Sequence, residues 1–175
     1  LNTAVGYASL SAGTDGERNT AIGRAALQVN TSGAYNVAVG MAALESNTTA
    51  DYNTAVGYNT LEANTTGAQN TAVGSSAGAS ITTGSYNVAM GVDALSTAST
   101  ADNNTAIGKG AMAANTTGTS NTAVGQGALD TISTGSQNTA LGYQAGDNVA
   151  SGGSDNTCIG YDAKTGHTNG SHAIV

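Results

Sequence analysis

The chain has 175 residues, among them 25 glycines and no Pro, Phe or Trp, and only 9% of its residues are charged. Large side chains that fill a globular core are therefore scarce, and the low charge is not typical of an intrinsically disordered chain. The net charge is −7, from 11 acids and four bases. Because the bases Arg18, Arg24, Lys109 and Lys164 are scattered, we expect no nucleic-acid partner. No apolar run approaches the ~18 residues of a membrane span, so we expect no membrane insertion of this segment.

A pentad that reads Asn-Thr-Ala-Val-Gly, with small variations, recurs along the chain. Its first nine copies, from Asn2 to Asn138, follow one another with a constant 17-residue period. The next copies start at Asn156 and Ser171. The first of these steps is one residue longer than the period, and the second is two residues shorter. A repeat this short cannot bury its own apolar face, so the fixed period predicts that each repeat is one coil of a stack. Stacking places the pentad asparagines in a ladder whose amides hydrogen-bond along the stack. The ladder comprises Asn2, Asn19, Asn36, Asn53, Asn70, Asn87, Asn104, Asn121, Asn138 and Asn156.

Numbering each repeat from 1 to 17, beginning at its Asn, sorts the residues into columns. Column 3 is Ala apart from Cys158, column 8 is mostly Ala, and column 9 is mostly Leu. No acid falls in columns 1 to 5, 8 or 9, so we expect these columns to lie inside and the others to face solvent. Asp155 is assigned to an inserted eighteenth place. Lys164 is the exception in column 9, and it predicts that the regular coil changes near residue 147.

The residue types favour strands over helices. Thr, Val and Ile have high strand propensity, and a 17-residue repeat has room for only one short helix, interrupted by Gly. Columns 1 to 5 predict a strand, columns 7 to 10 a second strand, and columns 12 to 15 a turn with Gly at positive φ. The sequence therefore predicts an all-β parallel β-roll, or β-solenoid, of 17-residue coils. At about 4.8 Å per coil, roughly ten coils make a rod on the order of 50 Å long. We expect regular coils over 1–155, degenerate terminal repeats over 156–175, and a fragment of a longer array.

Column 4 carries a large apolar side chain in every coil. Side chains alternate along a strand, so column 4 points outward if the Ala of column 3 fills the interior. A continuous apolar stripe on a soluble rod predicts self-association around it. The alternative is that column 4 faces inward with column 9 and one chain suffices. The stripe comprises Val5, Ile22, Val39, Val56, Val73, Met90, Ile107, Val124, Leu141 and Ile159.

The repeat resembles those of two kinds of fibre protein. The segments 19–23 (NTAIG) and 64–67 (NTTG) are similar to repeats of bacterial and phage tail-fibre-like proteins with a C-terminal self-cleaving intramolecular chaperone. The segment 36–40 (NVAVG) resembles the SVAIG pentads of YadA-like trimeric autotransporter adhesin heads. The resemblance covers about residues 2 to 160 and implies a left-handed parallel β-roll assembled as a homotrimer. The 17-residue period is longer than the usual adhesin repeat, and the processing and anchoring of these families are not carried over.

Enzyme chemistry finds little support in the sequence. No Ser, His and acid constellation recurs, so we expect no catalytic site and no cofactor. His167 and His172 lack Cys or acidic partners at ligand spacing, so we expect no metal site. Cys158 replaces a packed Ala, which favours a buried, inert thiol.

Seven tyrosines are the candidate surface contacts. They occupy column 6 or column 17, beside the predicted strand. One interpretation is that the rings stack on sugars, and the other is that they cover the edges of the coils. Separately, N-x-S/T sequons begin at Asn30, Asn47, Asn64 and Asn115, which are also turn residues of the repeat. The tyrosines are Tyr7, Tyr35, Tyr52, Tyr58, Tyr86, Tyr143 and Tyr161.

These patterns favour a structural and binding segment of an extracellular fibre, of tail-fibre or adhesin type, on a virion or a cell surface. The expected partners are further copies of the chain, in a homotrimer, and a cell-surface glycan or protein receptor. One alternative is an ice-binding β-solenoid, because column 2 and pairs such as Thr65-Thr66 form Thr ranks. The turn position of columns 13 and 14 argues against a flat face there. A further alternative is a self-assembling filament or coat subunit with contacts at the rod ends.

Overall fold

The computed structural model describes residues 1–12, 15–165 and 172–175. These residues contain ten short strands and no helix. The strands form one parallel sheet in which each strand lies beside the next in chain order, which confirms the predicted all-β solenoid. The strands are β1 (Thr3–Val5), β2 (Thr20–Ile22), β3 (Val37–Val39), β4 (Thr54–Val56), β5 (Thr71–Val73), β6 (Val88–Met90), β7 (Thr105–Ile107), β8 (Thr122–Val124), β9 (Thr139–Leu141) and β10 (Thr157–Ile159).

Each strand pairs in register with the strand of the next repeat. Thr3 pairs with Thr20, the equivalent position one repeat later, and the same step holds until β9. There Thr139 pairs with Thr157, so this single step is longer than the period by the one inserted residue. The sequence period is therefore the length of one coil, and equivalent residues stack directly on one another. The sheet continues past residue 155 to Ile159.

Columns 6 to 11 are turns from the first coil to the ninth, so the prediction of a second strand over columns 7 to 10 is wrong. Columns 7 and 9 have positive φ, for example 59° at Ala25 and 50° at Leu27, which a strand does not allow. The column 9 N–H donates to the following coil (Leu27 to Ala43, 3.0 Å), and the column 7 N–H donates to the preceding coil (Ala42 to Arg24, 2.9 Å). Hydrogen bonds to the coils on both sides thus stabilise a backbone conformation that residue propensities do not predict.

The interior is formed by columns 1, 3, 8, 9, 12 and 15. In the second to ninth coils the side chains of columns 3, 8 and 9 are buried, including Leu27, Leu44 and Met112. The acid-free columns mispredict burial in two ways. Columns 2 and 4, predicted to lie inside, keep surface in contact with solvent. Columns 12 and 15, predicted to face solvent, lie inside, and Asn47 and Ile81 of column 12 are both fully buried. The absence of acids does not single out columns 12 and 15, because columns 6, 11 and 13 also lack acids and keep contact with solvent.

Two glycine columns have different physical causes. In column 5, Gly40 has φ of 139°, and a Cβ there would lie 2.2 Å from the carbonyl oxygen of Gly57, so conformation and space both require Gly. Column 15 was expected to need positive φ, but its glycines do not have it. A Cβ on Gly33 would instead lie 2.4 Å from the oxygen of Ala50. Close approach of stacked coils therefore keeps column 15 small.

The one inserted residue lies in a turn rather than at Asp155. Asp155 has φ of 60°, like the column 17 residue Gln137 at 61°, so it belongs to the regular column 17. Ser133 of column 13 donates its N–H to Ser151 at 2.9 Å, which places Ser151 in column 13 and the extra residue at Ala150. A turn absorbs the insertion because the strands on both sides keep their register.

Candidate functional site

The two faces of each strand have opposite environments. In β5, Ala72 is 0% exposed while Val73 is 37% exposed. Along the stack, the column 4 side chains are half-buried at Val39, Val56 and Val124 and between 36% and 57% exposed at the others. The alternative in which column 4 packs inward with column 9 is therefore wrong. The apolar stripe lies on the outside of a single chain.

Column 2 shares this outer face with column 4. Its residues are Thr in most coils and Val at Val37 and Val88, and most are half-buried. We call columns 2 and 4 of β1 to β10 the strand face. Since the strands pair in register, the face consists of two parallel ranks, one mainly of Thr and one of Val, Ile, Leu or Met.

The asparagine ladder of column 1 lies beneath the strand face. Asn19 to Asn156 of this column are buried, whereas Asn2 is exposed. The N–H of Asn36 donates to Oδ1 of Asn19 at 2.9 Å, and Nδ2 of Asn36 donates to the carbonyl of Ala50 at 2.8 Å. Bonds between side-chain amides begin only at Asn87, whose Nδ2 donates to Oδ1 of Asn70 at 3.1 Å. The ladder therefore joins side chains mainly to backbone, and it aligns the coils.

A second, shorter ladder occupies column 12. Nδ2 of Asn47 donates to Oδ1 of Asn30 at 2.8 Å, and Nδ2 of Asn64 to Oδ1 of Asn47 at 3.0 Å. The ladder stops at Ile81, which leaves Oδ1 of Asn64 buried without a hydrogen-bond partner. These three sequon asparagines and Asn115 are all 0% exposed. The folded chain therefore does not present them for glycosylation.

The tyrosines border the strand face on both sides and are all at least 39% exposed. In column 17, Tyr35 and Tyr52 stack with ring centroids 4.8 Å apart, and the Arg18 guanidinium lies 5.0 Å from the Tyr35 centroid and hydrogen-bonds to its hydroxyl. In column 6, Tyr143 and Tyr161 stack at 5.2 Å. Tyr7, Tyr58 and Tyr86 are exposed as well. Four of the seven rings thus pack against a neighbouring coil, and all seven keep surface in contact with solvent.

Most charged groups lie in the turn columns 6 to 11, which we call the turn side. Burial, and secondarily the charge of Asp147, raises the pKa of Asp130, whose Oδ1 is buried without a hydrogen-bond partner. Lys164 pairs with Asp162 at 3.1 Å and with Asp147 at 3.5 Å. Lys164 is exposed, so this column 9 position carries a charge without burying it.

The residues considered for reactive chemistry do not converge. Cys158 is fully buried, and burial raises the pKa of its thiol. His172 lies 3.7 Å from Oδ2 of Asp155, while His167 lies outside the described residues. Over residues 1–12, 15–165 and 172–175, no three His, Cys, Asp or Glu side chains come together in a group able to hold a metal ion.

In the same described ranges, no helix has the length and apolar character needed to cross a bilayer. No protein-family model, no curated protein and no solved structure matches the chain.

Proposed function

We propose that the chain is a structural and binding segment of an extracellular fibre, of tail-fibre or adhesin type, that associates as a homotrimer through the strand face. The observation that carries the proposal is the outward apolar stripe, which continues from Val5 to Ile159 without a charged residue. Monomeric soluble proteins rarely expose a continuous apolar patch of this length.

Burial of the strand face supplies the driving force for association. Complete burial of one Val, Ile, Leu or Met side chain contributes about 1.5–3 kcal/mol, so a half-exposed residue gains about half of that on association. Ten such positions act along one continuous line, and their sum is large enough to offset the ~4–15 kcal/mol that association costs. Three copies follow from the resemblance of the pentad to trimeric fibre heads, and three-fold symmetry brings all three stripes to one axis.

Assembly also explains how such a rod acts in attachment to a host or surface. Interleaved inter-coil hydrogen bonds give the rod length and stiffness, and three parallel chains present the same outer surface three times. Weak contacts with a cell-surface glycan or protein receptor then add up through avidity. The turn side and the tyrosine columns remain available for such contacts, because both lie outside the apolar stripe.

The test of this proposal is the mass of the assembly before and after a charge is placed in the stripe. Val73→Asp should dissociate or unfold the assembly, since symmetry would place three like charges in a desolvated space. Glu62→Lys, in column 10 on the turn side, is the control and should keep the wild-type mass. Sedimentation or light scattering should give three times the 16.9 kDa chain mass for wild type. A monomeric wild type at micromolar concentration, or a trimeric and equally heat-stable Val73→Asp variant, would contradict the trimer.

A second candidate function, ice binding, is favoured by one observation. The Thr rank of column 2 and the apolar rank of column 4 share one outward, regularly spaced face, whereas column 13 hydroxyls are engaged in stacking, as in Thr48 to the Thr65 carbonyl at 3.1 Å. Only an uncovered strand face would contact ice, so the two functions exclude each other. Thermal hysteresis by a monomeric wild type, lost in Val73→Asp, would favour ice binding. A trimer without thermal hysteresis would favour the fibre.

A further inference from the structure

A groove runs along the turn side of the coils that begin at Asn87, Asn104, Asn121 and Asn138. It has a volume of about 630 Å³ and extends from Asp93 to Gln144, between columns 6 and 7 on one side and columns 10 and 11 on the other. It exists because column 7 is Gly in two successive coils, at Gly110 and Gly127. A Cβ built on Gly110 meets no atom within 4 Å. The groove is therefore produced by missing side chains, and the backbone follows the same path as in the other coils.

The groove is lined by small apolar residues and by polar side chains. Ala113 and Ala114 line it together with the two glycines. Among the described residues, the side chains of Asp93, Lys109 and Gln126 have no hydrogen-bond or ion-pair partner, and the same holds for Gln144. Oδ2 of Asp130 lies 3.8 Å from the position of a Cβ on Gly127, while Oδ1 of the same carboxylate is buried without a hydrogen-bond partner. Acceptors, a cationic donor and amides that both donate and accept thus face one elongated space.

Several classes of ligand do not fit these groups. An extended peptide would need free backbone edges, but the N–H of Gly110 donates to Val92 at 2.9 Å and that of Gly127 to Lys109 at 3.0 Å. A polyanion would meet one lysine, two carboxylates and a chain of net charge −7. An apolar ligand would find no large apolar side chain in the lining.

We infer that this groove binds a neutral oligosaccharide that lies along the axis of the coil stack. Sugar hydroxyls both donate and accept hydrogen bonds, so they satisfy carboxylates, amides and an ammonium group together. Coils repeat about every 4.8 Å, which is comparable to the length of one pyranose unit, so successive sugars meet equivalent columns of successive coils. Lys109 and Gln126 occupy column 6, and one coil further on the same column holds the exposed Tyr143, just beyond the lining of the groove. The inference rests on the proposed attachment function and names its ligand class.

The periodic structure supplies substitutions that fill the groove without changing the fold. Column 7 already holds Asn59 at φ of 50° and Gln144 at φ of 51°, so Gly110→Asn and Gly127→Gln introduce side chains that this backbone accepts elsewhere. Ser76→Asn makes the same kind of change in column 7 of a coil outside the groove. Circular dichroism and the assembly mass should match wild type for all three variants, which separates loss of binding from loss of structure.

The binding experiment uses the whole chain on an array of neutral and acidic glycans, followed by calorimetric titration with the neutral glycan that binds best. We expect neutral glycans to be selected, at least tenfold weaker binding by Gly127→Gln and Gly110→Asn, and unchanged binding by Ser76→Asn. Binding to no glycan, preference for acidic glycans, or equal binding by all three variants would overturn the inference. If the trimer still attaches to cells and Gly127→Gln does not weaken that attachment, the assignment of the binding site to this groove is wrong while the proposed function stands.

Discussion

The inward-facing columns 1 and 3 of the pentad and its outward-facing column 4 are both regular, but for different reasons. Ala72 and Val73 are neighbours on β5, yet Ala72 is 0% exposed and Val73 is 37% exposed. Stacked coils within one chain keep the side chains of column 3 small. Hydrogen bonds that join each coil to the next require Asn in column 1. Nothing within the chain requires column 4 to be apolar, because its side chains keep a substantial contact with water. Regularity inside this solenoid therefore reports packing, whereas the regularity of its strand face is not explained by packing within the chain and supports the proposed association.

Breaking the inward polar row should give the largest loss of stability. In Asn70→Ala, the N–H of Asn87 loses its acceptor (3.0 Å) and the carbonyl of Gly84 loses its donor (2.8 Å). Two buried backbone groups left unsatisfied cost about 2–6 kcal/mol. Asn2→Ala is the control, since Asn2 is exposed and water replaces its bonds. Denaturant unfolding measures both variants, and equal stability would contradict a structural role for the buried ladder.

Enlarging the inward apolar row should cost less, and the adjacent outward position should tolerate the same change. Ala72→Leu inserts extra methyl and methylene groups into a fully buried slot, at a cost of about 1–3 kcal/mol or somewhat more. Val73→Leu adds bulk to the strand face, where Leu141 is already the native residue of the column, and should change stability by less than about 0.5 kcal/mol. Thermal unfolding of the two variants compares them directly. Similar losses would mean that columns 3 and 4 are equally constrained.

The interior packing can also be tested by restoring the common repeat residues in one atypical coil. Gly78 stands where most coils have Leu, and Ile81 fills the space, so that a Cβ on Gly78 would lie 2.9 Å from Cδ2 of Leu61 and 3.1 Å from Cδ1 of Ile81. Gly78→Leu alone should destabilise by overpacking, and Ile81→Asn alone by leaving a cavity. Together they recreate the Leu and Asn pair and offer an amide to Oδ1 of Asn64. We expect a favourable coupling of about 0.5–3 kcal/mol in a double-mutant cycle, and additive losses would contradict it.

The smallest effect concerns the pH dependence of Asp130 on the turn side. Burial and the charge of Asp147 raise its pKa above the ordinary value of 3.8, so the folded chain binds this proton more tightly than the unfolded chain. Its favourable contribution is present below pH 3.8 and is lost as the pH rises through the higher folded pKa. Asp130→Asn should therefore be slightly more stable than wild type near neutral pH, with the difference shrinking on acidification. A difference that grows towards low pH in urea unfolding curves would contradict this sign.

Much of the interior followed from the sequence, because a short exact period allows few arrangements. The pentad predicted the strand, the coil length and the ladder position of Asn36, since parallel stacking converts spacing along the chain into contact between coils. The absence of acids separated columns 1, 3, 8 and 9 correctly, but it assigns Asn47 and Ile81 to solvent and columns 2 and 4 to the interior, and the structure reverses both. Asn is read as a turn residue in a sequence, and only a partner in the next coil makes its burial favourable.

The sequence by itself determined the architecture, a parallel stack of 17-residue coils, whereas the structure reduced the two predicted strands of each coil to one. Only the tertiary structure decided that Leu27 and Ala25 adopt positive φ, that Gly33 is needed for close approach, and that column 4 points outward. These features depend on hydrogen bonds and contacts made one full repeat away, on both sides of a coil. Local propensity describes one coil in water, whereas the backbone conformation here is stable only when a second coil accepts and donates its hydrogen bonds.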